Sequence, residues 1–459
     1  MINNENNSVA VLGYAHKEMS RHWNMTRTLL GGTYAIREAG EAYLPKYPAE
    51  QGEDYRIRLS RAVLTNYYAM TIKHLVGKAF SKPLTLVDDV PEQIVKWCED
   101  VDLQGTHIND FAAELFREAL GMGFASIFVD HPKAQPGATL ADEQAMGARP
   151  YMAMIRPESL LGVRTSGRAN QIQLARILEQ AVEPDGLYGE VVATRVRVLY
   201  PGGYQLFELK DDKEYILVDE GIMNPLQRVP LVPVYGQKEG SWIGKPPLLD
   251  LAYKNIQHYQ TDSDHDNALH VASFPILAVS GWEEDRDPAI TIGPNRVLAT
   301  GDPQGKYYYV EHSGASLGAG RQRLEDLKAD MATMGIQMLM PSASGGAATT
   351  ATETQVKYAE ATSDLQRMAF GLKDALENAL MLMGEWVGLP DGGSIELKGQ
   401  FTMPRDAATE AQALISLRNS GEITSHTLLS ELKRRDFLPD DFDVAEEIEA
   451  VAAEGHGGE

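Results

Sequence analysis

The chain has 459 residues, of which 43% are hydrophobic, 8% aromatic and 23% charged, and 42 Lys and Arg stand against 65 Asp and Glu for a net charge of −23. That length can hold roughly three domains of about 150 residues, and the balance is globular, which excludes a wholly disordered, collagen-like or coiled-coil chain. The acidic excess has the wrong sign for a protein that grips nucleic acid over a broad surface, although it leaves room for one past which DNA slides.

No run approaches the roughly 18 apolar residues of a membrane span, and the polar start MINNENNSVA lacks the basic and apolar regions of a signal peptide, so a soluble, unsecreted protein is expected. Cys98 is the single cysteine. It allows no intrachain disulfide and no cysteine zinc cluster, and beside Trp97 it reads as a core residue in a reducing compartment.

In chain order, the first 55 residues mix apolar patches with Gly and Pro and read as a loosely packed arm with a helix around His16 to Leu30. Residues 53–80 read as one acid-opened amphipathic helix, closed by Gly77 and Lys82-Pro83, with Arg56, Arg58 and Arg61 crowding its first half. A helix capped by Asn109 places Phe111, Leu115 and Ala119 on one face and stops at Gly121 or Gly123, before a buried-type strand over Phe124 to Val129. After a Gly, Ala and Pro-rich loop at 131–150, five strands are expected: 151–156, 171–182, 190–200, 204–209 and 214–218. Pro184-Asp185-Gly186, Gly202-Gly203 and Asp211-Asp212 separate the last four, the pattern of an antiparallel meander. The N-terminal half reads as α+β.

The character changes at Gly244. Pro246-Pro247 opens a helix with an apolar stripe of Leu248, Ala252, Ile256 and Tyr259, which then turns polar all round over TDSDHDN, 261–267. Such a helix leaves one core, crosses solvent and enters another contact. Residues 274–312 read as a compact β-rich insertion with strands ILAVS, NRVLAT and KYYYVE. A second long helix, 317–340, spaces Leu324, Leu327, Met331, Met334 and Met338 by 3, 4, 3 and 4, opposite Arg321, Arg323, Asp326, Lys328 and Asp330. Pro341 ends it, and PSASGGAATTATE reads as a mobile small-residue loop. A third helix is expected from Thr354 to Val387, then a strand over 394–403, then two or three short helices and an acidic tail.

Enzyme signatures are missing: no G-x-x-x-x-G-K-[ST], H-E-x-x-H, G-x-S-x-G or strand-linked G-x-G-x-x-G occurs. Gly121-Met-Gly123 precedes a strand, so it offers no helix N–H groups to a pyrophosphate. His258, Asp262, His265 and Asp266 could put three metal ligands on one helix face, yet four polar side chains on a solvent-crossing helix are more often simply solvated. Tyr307-Tyr308-Tyr309 could stack on bases, although alternation along a strand favours cross-strand packing or a subunit contact. No cofactor is expected.

Three stretches carry a resemblance: YLPKYPAEQGEDYRIRLSRAVLTNYYAMTIKHLVGKAFSKPL (43–84), GKPPLLDLAYKNIQHYQTDSDHDNALHVASFPIL (244–277) and MATMGIQMLMPSASGGAATTATETQVKYAEATSDLQ (331–366). In this order the chain resembles, over nearly its whole length, the portal or head-to-tail connector protein of tailed bacteriophages. The resemblance implies an α+β subunit, with wing, long-helix stem, β-rich clip and helical crown, assembling as a ring, usually of twelve, at one capsid vertex. It implies an arm and wing over 1–243, stem helices at 244–272 and 316–340, a clip at 273–315 and a tunnel loop at 341–353. A bridging helix with the rest of the wing would take 354–404, and the crown 405–459.

On that basis Ser342, Ser344, Gly345, Gly346, Thr349 and Thr350 would face DNA in the tunnel loop. Asp262, Asp264, Asp266 and Asp330 would line the stem channel, and Trp282, Glu283, Glu284, Asp285 and Arg286 would meet partners at the clip. The implied partners are the terminase large subunit, a head-completion adaptor, the major capsid protein and the double-stranded DNA that is packaged and later ejected. The implied location is the virion, after assembly in the host cytoplasm. Two competing readings remain open: a non-portal adaptor or scaffold whose helices bundle within one chain, and a metal-assisted hydrolase using His258 and Asp262.

Overall fold

The computed structural model describes residues 8–133, 148–167, 171–211, 214–223, 226–273, 276–280, 303–310, 315–337, 363–401, 407–434, 437–439 and 442–455. It divides into a unit ending at Phe401 and a C-terminal unit starting at Thr402.

The N-terminal segment is not a loose arm. Helix α1 (Tyr14–Leu30) buries Met19, Trp23, Thr26 and Leu29 along one face, because their spacing of four, three and three matches the helical repeat. His16 Nδ1 lies 3.0 Å from the Leu160 carbonyl oxygen, and Arg27 near the helix end donates to both Glu118 and Glu158. These partners lie far along the chain, so the segment's tertiary role was hidden in its own residues.

The helix expected over 53–80 is two helices, α3 (Gly52–Arg61) and α4 (Tyr67–Ala79). Asn66 breaks it by capping: its side chain accepts from Ala69 N, the alternative to a helix that Asn offers its own backbone. Arg37, on α2 (Gly32–Ala39), donates to the Ala62 carbonyl at 2.9 Å and holds the bend, which drops Ala62 and Leu64 into the core.

After the short strand β1 (Thr85–Leu86) and helix α5 (Glu92–Trp97), α6 (Ile108–Met122) starts one turn-position earlier than its expected cap. His107 Nδ1 accepts from Asn109 N, while Asn109 Oδ1 accepts from Leu84 N at 2.7 Å. Gly123 closes α6 at φ 87°, and a Cβ there would lie 2.3 Å from the Lys245 carbonyl carbon, so a later strand crosses where a side chain would be.

Strand β2 (Phe124–Asp130) is the middle of an antiparallel sheet ordered β3 (Tyr151–Ile155), β2, β9 (Leu231–Tyr235), with Phe128 opposite both Ala153 and Leu231. The meander is present and gains a strand not expected from sequence. Its order is β4 (Leu160–Thr165), β5 (Ile172–Asp185), β6 (Gly189–Tyr200), β7 (Gly203–Lys210), β8 (Glu214–Ile222). One end is anchored by buried Ala175, Ile177 and Leu199, whereas Leu187 and Tyr188 at the β5–β6 turn are exposed. A small pair, β10 (Gln237–Gly240) and β11 (Ile243–Lys245), leads to helix α7 (Leu249–Ala272).

Strands β12 (Ile276–Ser280) and β13 (Lys306–Val310) pair antiparallel, and α8 (Ala315–Gln337) follows. Helix α9 (Asp364–Trp386) starts at an N-cap, Ser363, whose extended backbone excludes an unbroken helix from Thr354. Ser363 Oγ accepts from Gln366 N and donates to the Phe401 carbonyl. Leu365, Leu372, Leu376, Ala379 and Met383 pack α9 against β2 and β9, joining the core of α1, α4 and α6. The returning strand expected over 394–403 is only β14 (Ile395–Glu396), paired with β1, though Leu397 and Phe401 remain buried.

The C-terminal unit holds α10 (Ala407–Asn419), α11 (Ser425–Arg434) and α12 (Val444–Gly455). Thr424 caps α11 by accepting from Thr427 N, and Asp443 caps α12 by accepting from Ala445 N and Glu446 N. No described helix of the chain is long and apolar enough to cross a membrane.

Candidate functional site

Helices α7 and α8 and the β12–β13 pair between them are the part whose sequence fits the body least. The first half of α7 is rooted in the core by Leu251, Ala252 and Tyr259, and by a buried amide among them. Asn255 Oδ1 accepts from Tyr68 N at 2.9 Å and its Nδ2 donates to the Thr65 carbonyl at 2.9 Å. Those are the end groups of α4, so a side chain from α7 completes the start of α4.

The polar middle of α7 does not simply cross solvent. Ser263 is buried, and Gln260 Nε2 donates to the Tyr43 carbonyl. Asp264 Oδ1 accepts from Tyr47 OH at 2.5 Å. Tyr47 in turn lies under the Arg58 guanidinium, 4.1 Å from ring centre to carbon. Arg58 is buried and donates twice to Glu50, at 2.8 Å each, and once to the Pro45 carbonyl. The Arg58 hydrogen bonds hold the Glu50 carboxyl below the ordinary glutamate range, and burial with the Asp264 contact pushes the Tyr47 phenol up to about 12. Of the three crowded arginines, Arg58 is thus internal, while Arg56 pairs with Glu53 at the surface and Arg61 is exposed.

On another side of α7, His258 is buried with its ring edge-on to Tyr67 at 5.8 Å. Desolvation lowers its pKa, opposed by Asp262, whose own carboxyl burial raises. Among the described residues no three His, Cys, Asp or Glu converge as a metal site requires.

Helix α8 runs antiparallel to α7. Lys254 Nζ is 3.1 Å from Asp330 Oδ2, and a Cβ on Gly320 would stand 2.7 Å from His265 Nδ1, so residue numbers rise on one helix as they fall on the other. Leu324, Leu327 and Met331 of the expected seam are buried and Met334 is half-buried; Met338 lies outside the described residues. Arg321, Arg323, Asp326 and Asp330 are exposed and Lys328 half-buried. In the β pair, Ala278 stands opposite Tyr308, which is half exposed. The expected NRVLAT strand, the tunnel-loop residues Ser342, Ser344, Gly345, Gly346, Thr349 and Thr350, and the clip residues Trp282, Glu283, Glu284, Asp285 and Arg286 lie outside the described residues.

The four acidic residues expected to line the stem channel have different surroundings: Asp262 beside His258, Asp264 on Tyr47, Asp266 exposed on a third line, and Asp330 on Lys254. The groups missed from sequence are Tyr47, Glu50 and Asn255. Asn255 had a signal, being the one amide inside an apolar stripe between Ala252 and Ile256.

The family described as a domain of unknown function (DUF4055) matches residues 247–387, which spans this helix pair and α9. No curated protein matches the chain. Among solved structures, the chain is similar to one from the virion of a native gene transfer agent (GTA) particle, at 13% identity over 88% of this chain and 98% of that one, with a TM-score of 0.43. It is also similar to a chain in the neck of the native GTA particle computed with C12 symmetry (13% identity, 86% and 98% covered, TM-score 0.43). A third match is in the neck of the empty GTA particle computed with C6 symmetry (13%, 81% and 89%, 0.42).

Proposed function

We propose that this chain is the subunit of a portal, a ring at one capsid vertex through which double-stranded DNA is packaged and ejected. The observation that carries the proposal is the α7–α8 pair: two helices of 24 and 23 residues whose buried apolar side chains lie where they face each other and the body, and whose remaining surface is mostly polar, with Tyr253 and Leu269 as exposed exceptions. A helix with so narrow an apolar stripe is stable where further contacts come from outside its own chain or where it borders solvent, and a ring of such pairs supplies both.

The charge fits a channel. Duplex DNA carries one negative charge per about 1.7 Å, and each phosphate paired with Lys or Arg would add a grip that resists sliding. A wall of excess acid repels DNA over only about 8 Å at physiological salt, which centres a duplex without closing the passage. Asp262, Asp264, Asp266 and Asp330 are among the acidic groups of the stem, beside Asp250, Glu325 and Asp326; those a neighbour leaves uncovered face the duplex. Residues 341–353, small and polar, would form the tunnel loop, and 281–286 part of the clip that meets the terminase and then the adaptor. The function is structural in this reading, with no reaction assigned.

Imaging the purified full chain by negative-stain electron microscopy tests this. Rings with a central opening are expected. Compact monomers or dimers at every concentration and salt would overturn the portal and favour an adaptor whose helices bundle within one chain.

A further inference from the structure

Between α3 and α7 lies an open cleft, on the flank of α7 turned away from α8. At 3.6 residues per turn, the line of α7 that meets α8 (Lys254, His258, His265) and the line that walls the cleft (Ser263, Asp266, His270) are about 140° apart. The two walls each carry an exposed carboxylate without an ion-pair partner among the described residues, Asp54 on α3 and Asp266 on α7. At its mouth Ile57 and Leu269 are 42% and 40% exposed.

The floor of the cleft is unfinished. Arg58 Nη1 and Ser263 Oγ are buried and have no hydrogen-bond partner, although both residues are more than nine-tenths buried. Buried donors of this kind are satisfied in nearly every folded protein. Arg58 is already balanced by Glu50 and faces Asp264 at 3.9 Å, so an added anion would meet net negative charge. A neutral group with both an acceptor and a donor, a carboxamide, suits the floor, and a cation suits Asp54 and Asp266, the exposed Arg61 of the same lining standing about two turns along α3 from Asp54.

The outward face of α8 carries that set. Arg321, Gln322 and Arg323 are exposed, neither arginine has an ion-pair partner among the described residues, and the Gln322 amide donates to Asp326 Oδ1 at 2.9 Å with its carbonyl oxygen in no described hydrogen bond. Successive helix residues turn by about 100°, so Gln322 stands at the centre and one guanidinium stands at each edge. Their height also matches: with Lys254 level with Asp330 and His265 level with Gly320, residues 321–323 lie level with 262–264 on α7. A rotation about an axis running along the helix pair keeps that height.

We propose that the α3–α7 cleft is the socket for α8 of a second copy of this chain, with Arg321 and Arg323 against the Asp54 and Asp266 walls and the Gln322 amide over the Arg58 and Ser263 floor. The inference rests on the ring reading and deepens it: the two surfaces are different and lie on opposite flanks, which makes the contact head-to-tail, the type that closes into rings. Asp266 thereby belongs to the subunit boundary rather than the channel wall.

The test uses two full-length charge reversals, Arg321→Glu with Arg323→Glu, and Asp54→Arg with Asp266→Arg, with mass photometry across a concentration series. Each alone should raise the concentration needed for assembly by about 100-fold, since like charges then face each other. Mixed one to one, they should assemble again, because every junction in an alternating ring is then complementary. All four side chains are exposed, so an unchanged melting temperature of each variant's monomer separates lost assembly from lost folding. Wild-type rings with both reversals assembling as the wild type does would overturn the socket and leave the ring standing. A wild-type chain that never assembles would overturn the ring and the socket together.

Discussion

Helices α8 and α9 each have 23 residues, yet α9 buries ten of them whereas the described side chains of α8 bury Leu324, Leu327 and Met331. Helix α9 takes its stability from the body on almost every turn. Helix α8 is held along one narrow line by α7 and, toward its C-terminal end, by α4, where a Cβ on Gly335 would lie 3.1 Å from Thr71 Cγ2. Length and helix propensity do not separate them; what separates them is how much of each circumference has apolar neighbours, and most helical stability in proteins comes from that packing. The same contrast divides α7 along its own axis, apolar and rooted up to Tyr259, polar beyond.

Substitutions can break this contrast in order of size. Leu376→Ala in α9 should cost about 2–5 kcal/mol in urea unfolding, because the lost methyl groups leave a cavity in a close-packed core. A loss below about 1 kcal/mol would mean that α9 is as loosely held as α8.

Glu50→Ala should cost about 3 kcal/mol by stranding the buried Arg58 guanidinium, while Glu50→Leu with Arg58→Met should recover most of it. The pair also sets a pH signature. Glu50 is held below its ordinary range when folded, so the unfolded chain takes up its proton first as pH falls. Its stabilisation is full above about pH 4.3 and is lost as pH drops from there through the folded value. Unfolding free energy measured from pH 6 to pH 3 should therefore fall less steeply in Glu50→Leu/Arg58→Met than in the wild type. Equal slopes would show that the carboxylate is not held by Arg58. At the small end, Asp330→Asn removes a solvent-facing pair with Lys254 and should change stability by less than about 0.5 kcal/mol. A larger loss in the isolated monomer would mean that the α7–α8 pair draws its stability from ion pairs.

Periodicity made α6, the core part of α9, the seam of α8 and four strands of the meander legible in the sequence, because each repeats one neighbour relation many times. Single events were not legible. The bend at Ala62 needs Arg37 from α2 to hold the Ala62 carbonyl, and the start of α4 needs Asn255 from nearly 190 residues away. Strand β4 was missed because LLGVRT shows neither clean alternation nor an unbroken apolar run. For the candidate site, charges and small residues were readable as a list, but their grouping was not. Asp264 and Asp266 are two residues apart on one helix and so point about 160° apart, one onto Tyr47 and the other toward the cleft.

The amide of Asn255 ties the root of α7 to the body. Its Oδ1 accepts from the Tyr68 amide at 2.9 Å, so a twist of α7 is felt at the start of α4, and the Tyr68 hydroxyl passes it on by donating to the Gly121 carbonyl at 2.6 Å. Gly121 lies two residues from the point where Gly123 and Lys245 cross without room for a side chain. A torque on α7 is thus delivered to backbone that leaves no room for a side chain, along a path with no long flexible side chain in it to absorb the strain.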